Sequence, residues 1–258
     1  MPIRFAGKPG LVAYLTVGDP DLATTHDIAL AAIDAGADVL ELGVPFSDPL
    51  ADGPVIQRAS ERAVRSGTRL RDVLALAATL RVERPSAGLV IFSYFNPVLR
   101  LGLENFCAAA ERAGVDGVLV TDMIVEEASD YLQALHRHHL APIFLAAPTS
   151  PDERLARIAA VSRGFVYAIS RAGVTGAQKS LASDAEQLVR RLRRFTQLPI
   201  VVGFGISNPG HFAAVGEFAD AAAIGSALVA TIEQAGRKEA PGAIARFIQG
   251  LRLAAPAR

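Results

Sequence analysis

Eight short apolar runs alternate with amphipathic helical segments along 258 residues, and two of the joints from helix to strand repeat almost letter for letter. Together these observations predict an α/β fold, a single (β/α)8 or TIM barrel filling residues 1–258. An open doubly wound sheet shares the alternation, but no composition shift, Ser/Gly linker or block of charge marks a second domain.

The apolar runs lie at 11–17, 39–44, 89–95, 117–122, 142–147, 165–170, 200–205 and 221–225. They are apolar throughout, the pattern of parallel strands covered on both faces. Between them, 24–35, 70–82, 103–113, 125–138 and 184–195 carry apolar residues at three-to-four spacing, with Arg, Asp and Glu on the other face, which predicts helices. Further helices are expected from Val55 and from Ser226. The joints Ala35-Gly36-Ala37-Asp38 and Ala113-Gly114-Val115-Asp116 place a glycine where a helix ends in the left-handed conformation.

With 51% hydrophobic and 20% charged residues, the chain is neither disordered nor fibrous. Its 26 Lys and Arg balance 26 Asp and Glu, so no net field draws it to nucleic acid or an anionic membrane. An anionic ligand has to be held by local geometry. Every apolar run falls well short of the roughly 20 residues of a membrane span. Residues 1–10 hold Pro2, Gly7, Pro9 and Gly10 with no apolar stretch behind a basic start, so no signal peptide is expected and the expected location is cytoplasmic. The lone cysteine, Cys107, cannot form an intrachain disulfide, which fits a reducing compartment, and its simplest reading is a small buried apolar residue.

A barrel carries its chemistry at the C-terminal ends of its strands and in the loops that follow. Strand alternation turns Glu41 into the barrel near its top, where burial raises a carboxyl's pKa towards values useful for proton transfer. The competing reading is an internal salt bridge, but the eight strand cores hold no Lys or Arg. Asp52 follows in the loop Pro45-Phe46-Ser47-Asp48-Pro49-Leu50-Ala51-Asp52-Gly53-Pro54. Two readings stand for it: the N-cap of the helix from Val55, or a second carboxylate in surroundings unlike those of Glu41.

Three glycine clusters follow late strands: Ala172-Gly173-Val174-Thr175-Gly176, Gly203-Phe204-Gly205-Ile206-Ser207 and Ile224-Gly225-Ser226. Glycine lets backbone N–H groups approach an anion, and a helix starting at Ser226 adds a positive dipole end, so a phosphate site is expected here. Each glycine taken alone fits tight packing equally well. Lys8, Lys179 and Lys238 lie off the strands, which argues against a buried Schiff-base lysine. His26, His136, His138, His139 and His211 fall in helical stretches, which argues against a metal at the strand ends. The residues themselves point to carboxylate acid–base chemistry on a phosphorylated small molecule.

The run 40–54 closely resembles the tryptophan synthase α-subunit family, and the likeness continues through Tyr14-Leu15-Thr16-Val17-Gly18-Asp19-Pro20, Tyr94-Phe95-Asn96-Pro97, Ser170-Arg171-Ala172-Gly173-Val174-Thr175-Gly176, Gly203 to Ser207 and Ile224 to Ser226. The resemblance implies retro-aldol cleavage of indole-3-glycerol phosphate to indole and glyceraldehyde 3-phosphate, with neither metal nor organic cofactor. It implies that Glu41 moves protons and that Asp52 stabilises positive charge at the indole nitrogen. Tyr167 would line the pocket; Gly176, Gly205, Gly225 and Ser226 would hold the phosphate; Thr175, in a mobile loop at 171–183, would close over the substrate and meet Asp52. Tyr14, Leu42, Phe204 and Ile206 would sandwich the indole ring.

The same likeness implies an α2β2 heterotetramer that passes indole to a pyridoxal-phosphate β subunit docked near Asp48, Pro49, Asn96 and Pro97. Two departures stand out. Residues 1–10 are too short and too rich in Pro and Gly for the helix that commonly covers the barrel's bottom in this family. Met123 and Ile124, where many members have prolines, are expected to expose apolar side chains towards the partner. Two other functions compete: a phosphate-binding subunit without turnover, against which the pair Glu41 and Asp52 argues, and a sugar-phosphate isomerase or epimerase, which would show metal-binding His at strand ends. A free-standing lyase that needs no partner stays open.

Overall fold

The computed structural model describes residues 3–169, 178–203 and 205–254, with 178–183 and 254 described by backbone alone. Its strands are β1 (Gly10–Thr16), β2 (Val39–Gly43), β3 (Gly88–Ser93), β4 (Gly117–Val120), β5 (Ala141–Ile143), β6 (Leu145–Ala146), β7 (Val166–Ile169), β8 (Ile200–Gly203) and β9 (Ala221–Ile224). The helices are α1 (Leu22–Asp34), α2 (Pro54–Arg65), α3 (Leu70–Glu83), α4 (Phe95–Leu101), α5 (Leu103–Arg112), α6 (Ser129–Arg137), α7 (Asp152–Val161), α8 (Gln178–Leu192), α9 (Pro209–Gly216) and α10 (Ser226–Ala254), the last interrupted at Gly236. Among the described residues, no helix is long and apolar enough to cross a membrane.

All strand pairs are parallel, in the order β5-β4-β3-β2-β1-β9-β8-β7-β6. The two ends of that order are pieces of one run, 141–146, broken at Phe144. β5 pairs with β4, β6 pairs with β7, and the Phe144 carbonyl accepts the Tyr167 amide at 3.1 Å. The change of partner within one run closes the barrel, so nine strands fill the eight expected positions. The other boundary corrections are small, except that α8 begins at Gln178 instead of near 184 and α6 begins at Ser129 instead of 125.

Alternation along each strand sorts side chains into two cores. Leu11, Leu15, Leu40, Leu42, Leu89, Ile91 and Val118 face out and pack against the helices. Val12, Val39, Val90, Leu119, Ile143 and Val201 face in and fill the lower barrel. Full burial of one such side chain contributes roughly 1.5–3 kcal/mol. The described residues ahead of β1, 3–9, form no helix. Ile3 packs among the inward residues, with Phe5 beside them and its ring 6.2 Å from that of Phe165, so two side chains close the bottom in place of a helix.

The repeated joints have a second role that their glycines did not announce. Asp38, Asp116 and Asp220 each precede a strand, and each accepts the amide of a residue on the neighbouring strand: Leu11 at 2.7 Å, Leu89 at 2.9 Å and Ile200 at 2.7 Å. Each also pairs with an arginine from the helical layer, Arg252, Arg81 and Arg193 respectively. These charge-assisted bonds tie sheet to helices at the pole opposite the expected chemistry.

Candidate active site

Glu41 lies on the inward face of β2, level with Tyr14 on β1 and Val90 on β3. It is 1% exposed, and its Oε1 has no hydrogen-bond partner among the described residues. Desolvation with nothing to offset it pushes its pKa up to about 8. At neutral pH the side chain is therefore a buried neutral acid holding a transferable proton. The salt-bridge reading fails, because no lysine, arginine or histidine among the described residues lines the cavity that Glu41 faces.

Asp52 faces the same cavity from above. The N-cap of α2 is Gly53, with no side-chain cap bond, so the capping reading fails too. The Tyr94 hydroxyl donates to Asp52 Oδ2 at 3.0 Å and accepts the Ala51 amide at 2.9 Å. Gln57 Nε2 donates to the Asp52 carbonyl at 2.9 Å, and Ser60 Oγ bonds both the amide and the carbonyl of Phe46, at 2.8 and 2.9 Å. Loop position is thus set by α2 beneath it and by Tyr94 from the end of β3. Partial burial raises the Asp52 pKa to about 6, against the opposing effect of the Tyr94 bond. The two carboxyls titrate apart, with Asp52 ionised and Glu41 protonated near neutral pH.

The cavity measures about 420 Å3, within the range of small-molecule sites. Tyr14, Phe92, Leu145, Tyr167, Ile169 and Ile206 give it apolar walls. The rings of Tyr14 and Phe92 meet edge to face at 5.1 Å. Both tyrosines depend on strand glycines: a Cβ on Gly43 would lie 2.4 Å from the Tyr14 hydroxyl, and one on Gly203 would lie 2.1 Å from that of Tyr167. At the far side stand Gly205, Ser207, Gly225, Ser226 and Ala227. Gly205 has φ +76°, which favours glycine. The Gly225 carbonyl accepts the Val229 amide at 3.0 Å, so α10 starts here and the amides of its first turn have no intrahelical acceptor.

Eight expected site residues therefore share one hollow: Tyr14, Glu41, Asp52, Tyr167, Gly205, Ile206, Gly225 and Ser226. Thr175, Gly176 and Phe204 lie outside the described residues. Leu42 is a correction, since the alternation that turns Glu41 inwards turns its neighbour outwards into the core under the helices. Phe92, Ile56, Thr121 and Leu145 are lining residues that strand-end reasoning did not single out, and Tyr94 has an unforeseen role as the partner of Asp52. Cys107 is buried with its thiol pushed up to about 12, as an inert core residue should be.

A parallel barrel with a protonated and an ionised carboxyl at its C-terminal pole, beside an apolar wall and the N-terminus of a helix, defines a class: a barrel enzyme of acid–base chemistry. Comparison with known proteins narrows it. A family model described as tryptophan synthase alpha chain matches residues 3–252. The tryptophan synthase alpha chain of Solibacter usitatus is 49% identical over 232 residues, 90% of this chain and 86% of the relative. That of Chloroflexus aurantiacus is 45% identical over 256 residues, 99% of this chain and 96% of the relative. A crystal structure of tryptophan synthase from M. tuberculosis, in an aminoacrylate- and BRD0059-bound form, superposes with a TM-score of 0.88 at 35% identity, covering 97% of this chain and 94% of that one. The chain belongs to the tryptophan synthase alpha chain family, lyases of tryptophan biosynthesis that cleave indole-3-glycerol phosphate to indole and glyceraldehyde 3-phosphate.

Proposed function

We propose that this chain performs the family's cleavage with Glu41 as the proton carrier and Asp52 as the fixed anion. The observation that carries the reading is the Glu41 carboxyl, buried with its Oε1 unpartnered among the described residues, protonated at neutral pH and facing the same hollow as Asp52. Protonated Glu41 gives its proton to the indole carbon that bears the glycerol chain, and the ring's positive charge gathers at the nitrogen, where ionised Asp52 stabilises it. The Glu41 carboxylate then takes the proton of the side-chain hydroxyl. The hydroxyl's electrons form the aldehyde, the carbon–carbon bond breaks, and its electron pair restores a neutral indole. Glu41 ends the cycle protonated, as it began.

Tyr14 and Tyr167, with Phe204, are assigned to the indole pocket. Gly205, Gly225 and Ser226, with Gly176, are assigned to the phosphate, held by neutral donors and a helix dipole. Thr175 is assigned to closure over the substrate. The phosphate assignment agrees with the lack of any basic side chain among the described lining residues.

The partner is a β subunit, in an α2β2 assembly. Leu50 is 91% exposed, Leu99 59% and Ile124 46%, and they stand at or beside the loops that leave β2, β3 and β4. These side chains, beside Asp48, Pro49, Asn96 and Pro97, offer an apolar docking surface, although Met123 is only partly buried against the core and shares less of it than expected. A cytoplasmic location fits this metabolism. The test is indole formation by the purified chain with and without a β subunit. No indole in either case, with folding intact, would leave only the phosphate-binding reading.

A further inference from the structure

A second hollow, of about 1050 Å3, opens at the opposite pole of the barrel, where β4, β5 and β8 begin and α6 and α7 end. Its floor is apolar, built from Ile3, Leu132, Leu140, Pro142, Leu198 and Pro199. Its rim is cationic or imidazole-bearing: His136, Arg137, His139 and Arg163. Arg137 is taken by Glu104. The one acid among the described lining residues, Asp116, already pairs with Arg81 and accepts the Leu89 amide.

Three rim groups are left without an acid. Arg163 Nη1 bonds only the carbonyls of Ala160 and Ser162, at 2.9 and 2.7 Å, and has no carboxylate partner among the described residues. His136 and His139 have no side-chain hydrogen bond among the described residues either. His139 sits at φ +54°, the only non-glycine residue at positive φ among those described, while Gly36, Gly114 and Gly164 fill comparable joints. Glycine would adopt this conformation more easily, although histidine is one of the side chains enriched there, so the backbone permits the imidazole without requiring it.

We propose that this cleft is a second ligand site, one that takes a small amphipathic carboxylate with its aromatic or aliphatic body on the apolar floor and its carboxylate at Arg163, His136 and His139. The spare donors of the rim match an anionic head, since an arginine fork and two imidazoles offer charge-assisted bonds to carboxylate oxygens. The spare area of the floor matches an apolar body, whose burial supplies the rest of the affinity. The site lies at the far end of the barrel from Glu41 and does not depend on the lyase reading.

Calorimetric titration of the whole chain with 4-phenylbutyrate, and with its neutral amide of the same shape, tests the proposal. Expected are a dissociation constant below about 1 mM for the acid and binding at least roughly tenfold weaker for the amide. Arg163→Gln should weaken the acid by a similar factor, while Glu41→Gln leaves it unchanged. His139→Gly should raise the melting temperature without ligand and weaken the acid with it, a combination that a purely structural histidine does not produce. Absence of heat up to about 5 mM, or equal binding of acid and amide, overturns the proposal. So does loss of binding when indole fills the upper cavity, which would place the ligand there. Dimerisation of the free chain, seen by light scattering and abolished by Arg163→Gln, would assign the cleft to a second copy and overturn it too.

Discussion

Tyr94 holds Asp52 from an element that the chain reaches only some forty residues later: its hydroxyl donates to Oδ2 at 3.0 Å while accepting the Ala51 amide at 2.9 Å. The two bonds set the position of the carboxylate and favour its charged form, since a donated hydrogen bond lowers a carboxyl pKa. Removing the hydroxyl should therefore do two things. In Tyr94→Phe the rate of indole formation should fall about tenfold, equivalent to about 1.4 kcal/mol of transition-state stabilisation. The acidic limb of the kcat/KM profile should also move to higher pH. A slower variant with an unmoved limb would make Tyr94 a packing residue only.

The carboxyl pair predicts a bell-shaped profile. Asp52 has to be ionised, so activity should fall as pH drops through about 6; Glu41 has to be protonated, so activity should fall as pH rises through about 8. Glu41→Gln should abolish indole release while leaving substrate binding nearly intact, and Asp52→Asn should lose at least roughly tenfold. Stability should fall in the same direction as the Glu41 limb of that profile. Its pKa in the folded state is raised from 4.5 to about 8, so the fold binds this proton more tightly than the unfolded chain does. The resulting stability is complete below pH 4.5, declines by up to about 1.4 kcal/mol per pH unit above it, and is fully lost beyond pH 8. Glu41→Gln should thus melt higher than the parent chain at pH 8.5 and near it at pH 4.5. A constant gap between the two melting curves across that range would refute a buried neutral Glu41.

Much of this site could be read from the chain because strand alternation is a local rule. Continuous apolar runs located every barrel strand, and the period of two placed Glu41 inside, although the same rule should have sent Leu42 to the outer core. Asp52 was ambiguous because a carboxylate ahead of Gly-Pro fits a cap as well as a site, and only the position of α2 against Tyr94 separates the two. The Tyr94 bond, the break at Phe144 and the closure of the bottom by Ile3 and Phe5 depend on distant segments meeting. No local spacing encodes such contacts. The joint aspartates fall between these cases: their repeat was visible, but their arginines come from helices far away in the chain.

Gly203 and Gly225 both stand near the cavity but tolerate a methyl group differently. A Cβ on Gly203 would meet the Tyr167 hydroxyl at 2.1 Å, whereas on Gly225 its nearest neighbours lie at an ordinary 3.6 Å. Gly203→Ala should displace Tyr167, cost about 1–3 kcal/mol in urea unfolding and raise KM. Gly225→Ala should unfold like the parent chain and lose affinity mainly for the phosphate, as titration with glycerol phosphate would register. Equal stability of the two variants would contradict the packing around Tyr167.

Asp38 should be a purely structural residue. It is half-buried with its side chain turned inwards, accepts the Leu11 amide at 2.7 Å and pairs with Arg252, whose guanidinium also reaches the carbonyls of Gly36 and Pro9. Asp38→Ala leaves a partly buried arginine without its counter-ion and a strand amide without an acceptor, a loss of about 3–5 kcal/mol. The chemistry lies at the other pole, so kcat at temperatures where the variant stays folded should match the parent within about twofold. A variant that keeps its stability, or loses kcat while folded, would contradict this division between the two poles.

Leu50 separates docking from catalysis. At 91% exposure it adds almost nothing to the fold, yet it stands two residues before Asp52 on the loop assigned to the partner. Leu50→Asp should leave the melting temperature of the isolated chain unchanged, because an exposed polar substitution typically shifts stability by within about 0.5 kcal/mol. Its indole formation without partner should also stay near that of the parent, since the bonds that hold Asp52 come from Tyr94 and Gln57. Against a β subunit the same change puts a charge into an apolar contact, and sedimentation should show affinity weakened roughly tenfold or more. Undiminished assembly would move the docking surface away from the loop that carries Asp52.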